Sequence, residues 1–320
     1  MNNRYALSLV GVGAVLLLLP LALPGYQVSI ATQILIFGVL AMSIDVLAGF
    51  AGRTPLCHGA IFGAAAYVVL YWTTVMGGDV FVGAALGVTA ATALAALFAL
   101  LAVRTSGVYF LLLTLALGMI VWGVCLRWTG VTGGENGIRG LGRPEAISSH
   151  VTFYYVTLAV VAPVTFLLWR FVHSPFGLTL RGIRDSESRM RSLGYNVPLH
   201  LFLAFLASGF FAGIAGALYA VFNNYVSPST VQLTQSVAGL LMAITGGIGT
   251  LLGAFVGAGA IIILENTVSA FTARWPIVLG LTFIAIMIFA PEGIVGRFRL
   301  LLARRARVSS ARKAEIGGLR

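Results

Sequence analysis

Between Ser192 and Leu264 this chain runs for 73 residues without an Asp, Glu, Lys or Arg. The intervals 5–44, 54–78, 80–103, 105–126, 146–169 and 275–291 are equally free of charge. A helix needs about 20 apolar residues to cross the hydrocarbon of a bilayer. The longest interval therefore has room for three crossings, the first for two, and the others for one each. The chain reads as an all-α integral membrane protein with eight to ten transmembrane helices. Expected spans are 6–24, 28–50, 57–76, 80–103, 107–127, 151–172, 198–222, 232–248, 252–271 and 275–290. The first is read as a retained span rather than a signal peptide, because it is long and lacks a small-x-small cleavage site before Pro24.

Basic residues set the expected orientation. Alternating ten spans from a cytoplasmic N-terminus puts 16 of the 20 Lys and Arg on one side, which the positive-inside rule makes cytoplasmic. Both termini then lie in the cytoplasm. The stretch from Arg297 to Arg320 holds eight basic residues and one acid. The net charge of +11 is thus a topology signal with a lipid-facing tail, 298–320, and does not point to nucleic acid. Cys57 and Cys125 fall near opposite faces, so no disulfide is expected.

Two features interrupt the transmembrane body, 1–297. One is a glycine-rich outer loop, 128–150, containing TGGENGIRGLG. The other is the segment 173–197, where RGIRDSESRMRSLGYN packs four arginines and two acids between apolar runs. There a helix is expected from Arg184 to Leu193. Asp185–Arg189 and Glu187–Arg191 are acid-before-base pairs at i,i+4, and Ile183, Met190, Leu193 and Val197 form one apolar stripe. Gly194 stops the helix and Pro198 opens the next run. A solvated connector and a docking helix for a partner are both consistent with this pattern. A faint echo links Gly49-x-x-Gly52 and Gly59-x-x-x-Gly63 to Gly246-x-x-Gly249 and Gly253-x-x-x-Gly257. It fits either an internal duplication or the close packing of small residues.

The order FGLTLRGIRDSESRMRSLGYNV resembles the cytoplasmic signature of ABC importer permeases for branched-chain amino acids, of the LivM type. In that family the signature meets the ATPase subunit, which assigns the coupling role here to Arg181, Arg184, Glu187, Arg191, Leu193, Gly194 and Asn196. Arg189 and Met190 stand where the family has small alanines. DVLAGFAGRTPLCHGAIFGAAAY, GVYFLLLTLALG with TGGENGI, GALYAVFNNYVSP, ITGGIGTLLGAFVGA and PEGIVG fit in the family's order, covering roughly 28–297. Asp45 and Arg53 replace the usual Asn and Gln. The resemblance implies an ABC importer permease fold, two cytoplasmic ATPase subunits, a second related permease and a periplasmic binding protein in a bacterial inner membrane. It places the translocation path near Tyr109, Phe110 and Thr114, with Asp45 and His58 as further candidates. Thr132, Gly133, Gly134, Glu135 and Asn136 would face the binding protein. Leucine, isoleucine or valine is the implied substrate, with urea, short amides or aromatic acids as alternatives.

No catalytic set is present. The chain lacks a phosphate-binding Gly-x-x-x-x-Gly-Lys-Ser/Thr loop, so ATP hydrolysis is expected in partners and no cofactor is expected. His58, His150, His173 and His200 are scattered, without metal-ligand spacing. Asp45 and Glu265 lie within expected spans, and an ionisable group there raises a rival reading as an ion-coupled secondary transporter.

Overall fold

A computed structural model describes residues 13, 15–143, 147–272, 275–289 and 293–297. The expected tail, 298–320, and the start of the first expected span lie outside the described residues. Residues 15–22 are helical and end before Pro24. Helix α1 then runs over Gly25–Asp45 and continues as a π-helical turn, Val46–Phe50. The helices that follow are α2 (His58–Thr74), α3 (Val80–Ala102), α4 (Gly107–Arg127) and α5 (His150–Val172). Two short helices come next, α6 (Pro175–Asp185) and α7 (Glu187–Ser192), ahead of the long α8 (Val197–Asn223). Helices α9 (Leu233–Gly246), α10 (Gly253–Ser269) and α11 (Trp275–Phe289) close the chain.

Among the described residues, five helices have the length and apolarity of a full crossing: α1 with its π turn, α3, α4, α5 and α8. Helices α2, α9, α10 and α11 are apolar but 14 to 17 residues long. At 1.5 Å per residue they span roughly 21–26 Å and reach bilayer thickness only with their flanking turns. These nine helices match nine of the ten expected spans in position; of the first, 6–24, the described residues are 13 and 15–24.

Helices α1 and α8 form the centre, and α2 and α3 pack on them. In the most apolar window of each, 78% of α1 and 61% of α8 is buried, against 28% of α3 and of α4. The outer faces of α3 and α4 carry Phe81, Leu97, Leu100, Val108, Leu112 and Ile120 each more than half exposed, as lipid or another membrane protein requires. Membrane helices gain nothing from apolar burial alone, so close van der Waals contact through small residues takes over. On α8, Gly209 and Gly213 meet Ala95 and Ala91 of α3, and Gly216 meets the Phe62 carbonyl of α2. Phe37, Phe62 and Tyr219 then join α1, α2 and α8, with ring centroids 5.0–5.9 Å apart. A Cβ at Gly216 would land on backbone that cannot yield. Gly216→Val is therefore expected to lower the melting temperature in detergent sharply, since overpacking costs about 1–3 kcal/mol or more. Gel-filtration recovery after graded heating checks this.

At one end, the loop after α4 is folded. It makes a helical turn at Thr129–Thr132, a 3-10 turn at Gly134–Asn136, and strand β1 (Ile138–Arg139). Strand β1 pairs antiparallel with β2 (Tyr225–Val226), just after α8, in the register Ile138↔Val226 and Arg139↔Tyr225. Arg143 donates to the Phe222 carbonyl (2.6 Å) with its guanidinium 4.6 Å from the Phe153 ring, strapping the loop to α5 and α8. The two cysteines are buried and free.

Candidate coupling site

Segment 173–197 lies at the opposite end, and local chemistry shapes it. The Ser174 hydroxyl accepts from the Gly177 amide (3.4 Å) and Pro175 opens α6, both ordinary helix-start signals. The helix expected from Arg184 to Leu193 is not continuous. Ser186 leaves helical geometry (φ −164°, ψ 102°), and its hydroxyl accepts from the Arg189 amide at 3.3 Å, capping a new helix, α7. A serine side chain competes with the helix for backbone donors, and here it wins. The break prevents the expected Asp185–Arg189 pair; Asp185 instead sits 3.5 Å from Arg184. Glu187–Arg191 forms at 2.6 Å. Ile183, Met190 and Val197 are buried as the stripe requires, but Leu193 is 66% exposed. Gly194, at φ +87°, turns the chain, and Asn196 Oδ1 caps α8 by accepting from the Leu199 amide (3.2 Å).

The inner side of α6–α7 grips the end of α1. Arg184 Nη1 donates to the Gly49 carbonyl at 2.6 Å, and the Arg181 guanidinium lies 5.0 Å from the Phe50 ring. A π turn widens the helix and offers carbonyls to outside donors. Glu187 reaches past it to Arg53, with Nη2 to Oε2 at 2.6 Å. Arg53 has only 8% of its side chain exposed; it also donates to the Thr105 carbonyl and lies 5.9 Å from the Phe110 ring. Glu187 therefore bridges a buried and an exposed arginine, Arg53 and Arg191. Buried charge persists only when paired in this way.

Asp45, 1% exposed, lies one turn before Gly49. Its Oδ1 accepts from the Gly249 amide (2.7 Å) and its Oδ2 from the Leu251 amide (3.0 Å). Both acceptor oxygens are thus engaged by the turn between α9 and α10. Gly49 and Gly249, one from each copy of the glycine echo, touch; a Cβ on Gly49 would lie 2.5 Å from the Gly249 nitrogen. The two copies meet at one end of the molecule, so a duplication would relate them in parallel rather than inverted orientation.

Of the other pathway candidates, the structure groups three and separates one. His58 Nε2 is 2.6 Å from Ser208 Oγ, which donates to the Ser43 carbonyl at 2.5 Å. That direction makes Nε2 the donor, and Nδ1 is buried without a partner among the described residues. Thr114 Oγ1 accepts from the Leu56 amide (3.1 Å), and Phe110 stacks edge-on against Phe205 (6.3 Å). Phe205 thus joins His58 to Phe110, and Thr114 holds the chain leading into His58 at Leu56. Tyr109 does not join them; it is 78% exposed on the opposite side of α4. Glu265 is half-buried on α10, apart from Asp45.

In the folded loop at the other end, Thr132 Oγ1 donates to the Cys125 carbonyl (2.6 Å) and accepts from the Gly134 amide (3.3 Å). Gly133 and Gly134 have φ of +73° and +58°, which fixes the turn. Glu135 and Asn136 stay exposed, and the Asn136 carbonyl accepts from the Tyr225 hydroxyl (3.2 Å). Asn136, Gly137, Arg139, Asn223, Asn224 and Tyr225 line an open groove there. The sequence reading missed Arg53 as the partner of Glu187, and the amides of residues 249 and 251 as the partners of Asp45. One signal was available: Asp45 and Arg53 stand alone between two charge-free intervals.

The family model for "branched-chain amino acid transport system / permease component" matches residues 26–290. The high-affinity branched-chain amino acid transport system permease protein LivM of Salmonella typhimurium is 26% identical over 296 residues, covering 84% of this chain and 70% of that one. The autoinducer 2 import system permease protein LsrC of Klebsiella pneumoniae is 28% identical over 196 residues, 58% of this chain and 54% of its own. A chain of PsaBC from Streptococcus pneumoniae, solved in complex with Fab, superposes with a TM-score of 0.44 at 18% identity, covering 88% of this chain and 96% of that one. With 265 consecutive positions matched (26–290), a multi-pass helical body and a charged segment fastened to its central helix, this chain belongs to the family of branched-chain amino acid transport system permease components.

Proposed function

We propose that this permease is the membrane subunit of an ATP-driven importer whose substrate is a branched-chain or other hydrophobic amino acid. The observation that carries the reading is the double attachment of α6–α7. Its inner side is bonded to the π turn of α1 through Arg184 and to Arg53 through Glu187. Its outer side leaves Leu178, Leu193 and Tyr195 exposed among charged residues. Two ATPase subunits bind that outer side, one on this permease and one on a second, related permease, whose contact is the exposed apolar flank of the bundle. Closure of the ATPases on ATP pushes α6–α7, and the push reaches α1 directly. Alternation between two states then follows from the different affinity of each state for its partners.

In this reading α6–α7 and both termini are cytoplasmic, an orientation supported by the 16 of 20 basic residues that ten alternating spans place on that side. The folded loop with Glu135 and Asn136 faces the periplasm of a bacterial inner membrane and receives the substrate-binding protein. LivM is named for branched-chain amino acid transport and LsrC for autoinducer 2 import, so the relatives differ in cargo. The longer and more complete match to LivM favours the amino acid. The ion-coupled alternative has less support, because both Asp45 oxygens are held by backbone amides.

Vesicles containing the permease pair, the ATPases and the binding protein should take up labelled leucine only with internal ATP. Vanadate should stop the uptake, and unlabelled isoleucine or valine should compete. Uptake that persists without ATP and follows a proton or sodium gradient would sink the importer reading. ATP-dependent uptake that ignores these competitors would leave the importer standing and move the substrate elsewhere.

A further inference from the structure

We propose that Asp45 is a positioning residue of the inner gate: its carboxylate ties the α9–α10 turn to the π turn of α1, so that the coupling segment moves both as one body. This role presupposes the ATP-driven importer described above.

The α9–α10 turn is built to hold an anion. Gly247, Gly249 and Leu251 have φ of +113°, +78° and +53°, alternating with ordinary residues. Such alternation turns successive N–H groups toward one point, a concavity that binds negative charge. The point is occupied by Asp45, which receives the amides of Gly249 and Leu251. Leu251 keeps a left-handed conformation that is unfavourable for a residue with a branched side chain, so the surroundings must hold it there.

The same junction contains the coupling segment. Arg184 bonds the Gly49 carbonyl, four residues after Asp45. A Cβ built on Gly249 would have both the Gly49 carbonyl oxygen and Arg184 Nη1 within 4 Å. Three segments that are distant in sequence therefore meet around two side chains: α6 through Arg184, the π turn through Gly49, and the 247–251 turn through Asp45. Arg184 acts on α1 alone by hydrogen bonding. Asp45 is the polar link that carries the motion onward to α9 and α10. Without it the coupling segment still holds α1, but the second turn is free to lag.

The test measures leucine uptake and ATP hydrolysis together in vesicles of the complete transporter, for the wild type, Asp45→Asn and Asp45→Ala. Asparagine keeps the volume but offers one acceptor oxygen and points an NH2 group at a donor. Losing a charge-assisted bond of this kind is worth about tenfold. Uptake is expected to fall about tenfold in Asp45→Asn and further in Asp45→Ala, while hydrolysis stays within about twofold of wild type. ATP consumed per leucine then rises, a ratio that a merely structural defect does not move. An unchanged ratio overturns the proposal, whether both rates stay normal or fall together. Failure of both variants to assemble with the ATPases overturns it too, because Asp45 would then build the subunit rather than move it. A wild type without ATP-dependent uptake would instead reject the importer itself.

Discussion

Glu187→Arg should abolish ATP-driven uptake, and Arg53→Glu in the same chain should restore part of it. Glu187 is the shared acceptor of Arg53 and Arg191, at 2.6 Å from each. Arg191 is exposed, so its pair contributes little. Arg53 is 8% exposed, and removing the partner of a buried charge costs about 3–5 kcal/mol. Glu187 is itself 31% exposed, so water moderates the loss to the lower end of that range, about 3 kcal/mol or 100-fold in an equilibrium. The new arginine would also face two others. Segment α6–α7 should then detach from residues 51–58 and keep only its Arg184–Gly49 bond and Arg181–Phe50 contact to α1, leaving the ATPases to act on a lever fastened at one point instead of two. The double swap returns an opposite-charge pair to the same place, although Thr105 loses its arginine donor. Uptake by the single and double variants, each normalised to assembled complex, decides the matter. A double variant no better than the single would mean that the pair is not what holds the segment.

Gly49→Ala should reduce uptake by an order of magnitude or more in a subunit that still reaches the membrane. One methyl group at this position would fall on Asp45 Oδ1 and within 2.5 and 2.8 Å of the Gly249 nitrogen and Cα. None of these is the loose end of a flexible side chain, so the two turns must part. Overpacking of this kind costs about 1–3 kcal/mol, up to roughly 100-fold. Gly280 is the control, because no atom of the described residues lies within 4 Å of the Cβ it would carry. Gly280→Ala should leave uptake, measured in the same vesicles, near wild type. Equal uptake by the two variants would mean that the turns need not touch during transport.

The spans were legible because they depend on composition alone: charge-free intervals of adequate length become helices wherever water is excluded. Helix α4 was located to the residue, at 107–127. Less was legible where one side chain decides between two backbones. Nothing in the periodicity of 184–193 says that Ser186 will cap α7 rather than continue α6. The pairing of Asp185 changed with that break, whereas Glu187–Arg191 lies wholly beyond it and kept its geometry. Asp45 and Arg53 were visible as isolated charges, but their partners were not. Asp45 bonds main-chain amides 204 and 206 residues away, and amides carry no sequence signature. Arg53 finds Glu187 134 residues along the chain, a separation that only the packed bundle closes.

The β1–β2 pair bears on how such a subunit is made. Its strands are 88 residues apart (Ile138 to Val226). A ribosome adding about 5–20 residues per second delivers the second strand roughly 4–18 s after the first. During that interval β1 has no strand to pair with, although Thr132 can already bond the end of α4, and the clasp closes only after α8 has been made. The completed clasp therefore records that α5 and α8 were inserted in the right direction. A chain in which either was inverted would put its two strands on different sides of the membrane, and the clasp could not form.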